Sequence, residues 1–334
     1  MDQIQHKFIE VQDLKLHVAE IGSGHQPYML ESSEVFKSIK HMPSYGPNVV
    51  VFLHGFPEIW YSWRHQMVAV TEAGFRALAP DFRGYGLSDP PLEPEKASFG
   101  DLIKDLRALL DALGIDKVFL VAKDFGVFPA CMFSLLHQER VQGVVTLGFP
   151  HRPPSHPTNY HEHLPGGFYI SRMQERGRAE ADFGRLDAKT VVRNIYILFS
   201  RSELPIAAAN QEIMDIVDPS TPLPSWFTEG DLEEYGSLYR KSGFRTALQV
   251  PYRSSKEGLG ITDFIIKVPA LLVMGGKDYA LKFPGIEEYI RSGKVKEFVP
   301  QLEIVFSPEG THFIQEQSPD EVNQLILDFL KKHI

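Results

Sequence analysis

The apolar run Lys117-Val118-Phe119-Leu120-Val121-Ala122 ends next to a carboxylate, Asp124, and Phe125-Gly126 and a helix-like stretch follow at once. This junction constrains the fold more than any other feature of the chain, because strands that turn directly into helices build sheets in which the two elements alternate. Ala122 and Gly126 flank the centre. Small residues there let the backbone take the sharp turn that presents the central side chain at the sheet's edge. Serine hydrolases carry Ser at that centre. An Asp can instead attack carbon by SN2 displacement, leaving an alkyl-enzyme ester whose carbonyl carbon water then cleaves. The same Asp also suits the plainer task of capping the helix that follows, since Asp is a favoured N-cap.

Distant segments supply partners in a telling order. Leu271-Leu272-Val273-Met274-Gly275-Gly276-Lys277-Asp278 reads as a buried strand ending in a turn with an acid, and Leu302-Glu303-Ile304-Val305-Phe306 as a strand followed by Gly310-Thr311-His312-Phe313. Taken singly, Asp278 is an ordinary turn residue after two glycines, and His312 is one of 13 histidines. Together they give nucleophile, acid and His, each at a strand end. That is the order of the α/β-hydrolase fold and differs from the two best-known serine-protease orders. In the N-terminal half, Val49-Val50-Val51-Phe52-Leu53 reads as a strand buried on both faces. It runs into His54-Gly55-Phe56-Pro57, a turn that Gly and Pro make rigid. The backbone amides of Phe56 and Phe125 would then offer two donors to an oxyanion. A plain tight turn explains the same residues equally well.

The pattern along the chain predicts an α/β protein: a mostly parallel sheet flanked by helices, with a helical lid inserted. Strand-like Phe8 to Val11 and Leu14 to Glu20 open the sheet, and alternation continues to Val144-Val145-Thr146-Leu147-Gly148. A proline-rich departure, His151-Arg152-Pro153-Pro154-Ser155-His156-Pro157, and helix-like stretches such as Asp231 to Lys241 follow, until strand signal returns at Val268-Pro269-Ala270-Leu271. Residues 1–150 and 261–334 are therefore expected to form the core, and 151–260 a lid over the sheet's carboxyl edge. The polar, turn-rich segment 25–47 reads as a surface insertion, with helical tendency around Glu34 to Lys40. If the strand before it runs antiparallel to the one after it, the insertion lies on the side away from Asp124. The histidines at 151, 156, 161 and 163 suit a solvated loop better than a metal site, having prolines between them and no Cys or firm carboxylate spacing.

Composition narrows the partners. A chain of 334 residues, 43% of them hydrophobic, can bury one large core plus a lid. A formal charge of −9 argues against nucleic acid or an anionic membrane as partner. The single cysteine, Cys131, excludes an internal disulfide and a cysteine-based zinc site, and its apolar surroundings suit a small buried hydrophobe. No cofactor or metal site is expected. The first residues lack the pattern of a signal peptide, no segment reaches the roughly 18 uninterrupted apolar residues of a membrane span, and Lys332-His333-Ile334 is not a peroxisomal tripeptide. A cytoplasmic location is the expectation.

The most specific stretches are His54-Gly55-Phe56-Pro57-Glu58-Ile59-Trp60-Tyr61-Ser62-Trp63-Arg64-His65-Gln66 and Asp81-Phe82-Arg83-Gly84-Tyr85-Gly86-Leu87-Ser88-Asp89. Added to the Asp124 turn are Phe168-Tyr169-Ile170-Ser171-Arg172 and Pro251-Tyr252-Arg253. Through them nearly the whole chain resembles the soluble epoxide hydrolases of the α/β-hydrolase superfamily, especially their plant members. The resemblance implies Asp124 as nucleophile, His312 as base and Asp278 as its orienting acid. It implies Tyr169 and Tyr252 as lid tyrosines that hydrogen-bond the epoxide oxygen, and Glu58 as an acid near the hydrolytic water. Opening an epoxide creates an alkoxide opposite the attacking carboxylate, and a phenol, with an ordinary pKa of about 10, can donate there while staying neutral.

Departures accompany the likeness. Most relatives have Gly and His before the nucleophile and Trp after it, where this chain has Ala122, Lys123 and Phe125. Lys123 either sets a cation beside the carboxylate or projects to the opposite side. Pro129 falls near the start of the helix, where a missing N–H is partly tolerated. Three readings of function follow: hydrolysis of a lipophilic epoxide to a vicinal diol, carbon–halogen hydrolysis with the same nucleophile, and a ligand-binding or receptor-like protein that kept the fold without turnover. The second is weakened by Phe125, which lacks the indole N–H that haloalkane dehalogenases offer a halide beside the nucleophile.

Overall fold

A computed structural model describes residues 3–22, 48–153, 164–254 and 259–334. Within them an eight-stranded sheet is built from β1 (Gln5–Val11), β2 (Leu14–Ile21), β3 (Val49–Leu53), β4 (Arg76–Pro80), β5 (Val118–Lys123), β6 (Val141–Leu147), β7 (Ala270–Gly275) and β8 (Leu302–Ser307), in the order β1-β2-β4-β3-β5-β6-β7-β8. β2 is antiparallel to β1 and β4, and every other pairing is parallel. The α/β-hydrolase architecture expected from the pattern is the one observed. Strand chemistry follows position: β3 and β5, in the middle, are buried along their full length, whereas β1 at the edge leaves alternate residues in solvent.

Helices cover the faces with apolar stripes. Phe99–Ala112, between β4 and β5, buries Leu102, Ile103, Leu106, Leu109 and Leu110, and a capping box between Ser98 and Asp101 sets its start. After β5 a tight turn, Asp124–Gly126, leads into the helix Val127–Leu136. Pro129 is thus the third residue of that helix, where the backbone N–H would have no intrahelical partner. Among the described residues no helix is long and apolar enough to cross a membrane.

The path of the chain locates the site. From β3 it moves to β4 on one side, then crosses to β5 on the other. The carboxyl ends of β3 and β5 therefore flank the point where the strand order reverses, and in open α/β sheets that crevice is where ligands bind. Phe56 follows β3 and Asp124 follows β5.

Segment 25–47, including the expected helical turn from Glu34 to Lys40, lies outside the described residues, as do His156, His161 and His163. Its anchors are described: β2 runs antiparallel to β4 and hence to β3, so both anchors lie at the edge opposite Asp124. His151 departs from the solvated loop expected of it. It is buried, its Nε2–H donates to the carbonyl of Phe264 (3.0 Å), and burial pushes its pKa down to about 4.

Between β6 and β7 the described residues form the helices Tyr169–Gln174, Arg178–Phe183, Ala188–Phe199, Glu229–Ser242 and Arg245–Arg253. A buried charge cluster fastens two of them to the core. The Arg64 guanidinium donates to Glu316 (2.6 Å) and reaches Asp231 at 2.9 Å, while Glu316 also accepts the hydroxyls of Tyr196 (2.8 Å) and Tyr235 (3.1 Å). Burial pushes the Glu316 carboxyl above its usual range against the pull of these partners, so the pairing is what makes a charge tolerable there. Arg64→Met should leave that acid unpaired in the interior and cost about 3–5 kcal/mol. Urea denaturation checks this, and a midpoint equal to that of the parent would show that the cluster does not fasten the helices.

Candidate active site

Asp124 sits where an ordinary residue is uncomfortable. Its φ of 51° is left-handed, a conformation that costs a non-glycine residue on the order of 1–3 kcal/mol. The turn closes because its neighbours lack side chains. A Cβ on Gly126 would lie 2.5 Å from the carbonyl oxygens of Leu53 and His54, and one on Gly55 would lie 2.4 Å from the Asp124 side chain. The ends of β3 and β5 therefore approach closely enough for the Phe56 N–H to donate to Asp124 Oδ1 (3.0 Å). The backbone N–H of Phe125 also favours the charged form of the same carboxyl group. Burial works against ionisation of this carboxyl, yet the hydrogen bond and charge of His312, the Lys123 ammonium and the Phe125 N–H together hold it below the usual carboxylate range.

The partners arrive from the far half of the chain. His312, beyond β8, directs Nδ1 at both oxygens of Asp278, beyond β7 (3.0 and 3.2 Å), and its Nε2 lies 3.4 Å from Asp124 Oδ2. Asp278 Oδ1 also accepts the Ala280 N–H (2.9 Å), which fixes the carboxylate. For His312, burial and the Lys123 charge favour the neutral ring, but the Asp278 charge and the bonds to Asp124 and Asp278 outweigh them and raise its pKa above the ordinary value.

Two of the inserted helices carry the expected tyrosines inward. Tyr169 opens Tyr169–Gln174, and Tyr252 lies near the end of Arg245–Arg253. Both are buried, with ring centroids 6.2 Å apart and edge to face. The Tyr252 ring also meets Phe125 (5.2 Å) and Phe56 (5.9 Å), which sets it over the Asp124 turn. Burial raises its pKa well above the ordinary value, so the phenol keeps its proton. Glu58 is fully buried, accepts a hydrogen bond from the Gln315 side-chain amide and lies 3.7 Å from Lys123 Nζ. Burial pushes its pKa up to about 7 against the pull of Lys123.

All the expected site residues thus converge at one place. The structure adds two that pattern reading passed over: Tyr279, whose hydroxyl lies 3.3 Å from that of Tyr169 and whose ring packs 4.8 Å from His312, and Gln315. Their only sequence signal is adjacency, Tyr279 to Asp278 and Gln315 three residues past His312.

Residues 48–319 match the α/β-hydrolase fold family. The chain is 37% identical to epoxide hydrolase 2 of Siraitia grosvenorii, over 99% of this chain and 100% of that protein. It is 33% identical to epoxide hydrolase A of Mycobacterium tuberculosis, over 85% and 91%. Among solved structures it is similar to an epoxide hydrolase from Vigna radiata, with 34% identity, a TM-score of 0.85 and 99% of each chain covered. This chain belongs to the plant-type epoxide hydrolases. The structure of potato (Solanum tuberosum) epoxide hydrolase I agrees, at 33% identity and a TM-score of 0.84 over 98% of this chain and 99% of that one.

Within this plant-type epoxide hydrolase the structure settles which way Lys123 points. Its ammonium reaches Glu58 and lies 5.1 Å from the centre of the Phe313 ring. The balance around His312 also has a measurable sign. Asp124 is one of the groups that raise its pKa, so neutralising that carboxylate should lower it. In Asp124→Asn, NMR titration of the His312 ring should give a pKa below that of the parent protein, and an equal or higher value would mean that the two side chains are not coupled.

Proposed function

We propose that this chain hydrolyses a lipophilic epoxide to a vicinal diol through a covalent ester on Asp124, with the helices of 151–260 serving as the lid. The observation that carries the proposal is that Asp124, favoured in its charged form and bonded by the Phe56 amide, sits in a turn against which the buried Tyr252 ring packs, with the buried Tyr169 ring beside it. A carboxylate oxygen attacks one ring carbon, the C–O bond breaks, and the leaving oxygen takes up its proton from Tyr169 or Tyr252. Product is then released in a second step. His312, oriented by Asp278, removes a proton from water as it attacks the ester carbonyl, Glu58 positions that water, and the oxyanion forms against the amides of Phe56 and Phe125; its collapse breaks the ester C–O bond, the departing diol oxygen takes the proton from His312, and the proton left on the Asp124 carboxyl returns to the phenolate. Carboxylates, an imidazole and phenols supply every proton movement in this sequence, so it calls for no metal and no cofactor. The rings of Phe149, Phe199 and Phe313 packed on His312 support a substrate of lipophilic character.

Separation of the two steps tests the scheme. His312→Gln should still alkylate, since the base is required only for the water step, and the protein mass should rise by that of the epoxide and stay raised. Turnover of this variant at the parent rate would remove His312 from the role of base.

The phenols test the choice of electrophile. Tyr169→Phe and Tyr252→Phe should each slow alkylation by about 10²-fold or more, and the double variant should nearly abolish it. A haloalkane would need no such proton because halide leaves as a stable anion. Unchanged alkylation by an epoxide in the double variant would reject the tyrosines as the acid.

A further inference from the structure

We infer that Lys123 is a positioning residue for the ester-cleaving step: its buried ammonium, set behind Asp124, pairs with Glu58 and favours the carboxylate of Glu58 and the neutral ring of His312. The inference rests on the ester mechanism proposed above and goes beyond it by giving a role to a residue that is not in contact with substrate.

Geometry carries it. Lys123 is the last residue of β5 and directly precedes Asp124, and its side chain is fully buried. Nζ lies 3.7 Å from Glu58 Oε2 and 5.1 Å from the Phe313 ring centre. Phe313 is the neighbour of His312, so one ammonium stands between the acid of the His54–Glu58 turn and the segment that bears the base. A buried ion pair is weak evidence for stability, because desolvation of two charges consumes most of what their attraction returns. Packing alone would be served by an apolar side chain of the same volume, so the charge calls for another explanation.

The surroundings give one. The charged and titratable groups acting on Glu58 are Lys123, Asp124, Glu316 and His312, and Lys123 is the strongest of those that favour its ionised form. Gln315 donates to the other Glu58 oxygen. The same ammonium favours ionised Asp124 and neutral His312. Those are the three protonation states that the proposed reaction uses, and a cation at this single point promotes all of them at once.

The test follows decay of the alkyl-enzyme by intact mass in single turnover as a function of pH, comparing the parent enzyme with Lys123→Met and Lys123→Arg. Loss of the charge should move the acid limb of ester hydrolysis upward by about one unit or more. The Arg variant, which keeps a cation, should retain a limb close to the parent's. A Met variant that is slower at every pH with its limb unmoved would overturn the inference and leave Lys123 as a packing residue. If Lys123→Met does not fold, the double variant Glu58→Gln/Lys123→Met removes both charges and is compared with Glu58→Gln alone. The limb of the double variant should lie higher, because His312 has lost a cation that favours its neutral form, and equal limbs would again overturn the inference. Failure of the parent enzyme to form any ester would instead reject the proposed function.

Discussion

Everything at this site depends on how closely the carboxyl ends of β3 and β5 approach each other. Two glycines, Gly55 and Gly126, leave the room, and into it the chain forces Asp124 in a left-handed conformation. The strain is local and small beside the energy of the sheet that holds it, because β3 and β5 are paired to each other and buried throughout. The return is that the Phe56 N–H meets the carboxylate directly. A wider gap would leave that amide and the carboxyl without each other, in a place where burial penalises both.

The electrostatic design follows from the same burial. Asp124, Asp278, Glu58, Glu316, Lys123 and His312 are all removed from solvent, an expensive set of charges to enclose. Each is answered by a specific neighbour. Asp278 holds His312, His312 faces Asp124, Gln315 bonds Glu58 with the Lys123 ammonium 3.7 Å away, and Arg64 with two tyrosines holds Glu316. The outcome differs from group to group: Asp124 is driven toward ionisation, whereas Glu58 is left near neutrality of charge preference at a pKa of about 7. Adjacent carboxyl groups in one site are thus prepared for different tasks by their neighbours alone.

Much of this is legible in the sequence, and for a physical reason. Strands of a parallel sheet are buried on both faces, so β3, β5 and β7 appear in the sequence as unbroken apolar runs, and the residues that follow them are the ones that line the crevice. Phe56, Asp124 and Asp278 were found that way. Tyr169 and Tyr252 were not, because a tyrosine on a short helix carries no periodic signal of its own, and only likeness to a family singled them out. Tyr279, Gln315 and the Arg64 cluster escaped both approaches. Their partners lie far away in the chain, 257 residues in the case of Gln315 and Glu58, and side-chain pairing over such a span leaves no mark in either segment. The direction of Lys123 was equally hidden, since the sequence gives the alternation of a strand but not which face meets Glu58.

The strand order also has a consequence for how the protein is made. β6 is completed long before β7, the neighbour it pairs with, because the whole helical excursion is synthesised between them. While the chain grows from its N-terminus, the edge of this almost wholly buried strand that β7 will occupy stands open, with β5 on its other side. Such an edge is a template for pairing with other chains. The nascent protein is therefore exposed to misassociation in the interval between β6 and β7, and the inserted helices prolong that interval.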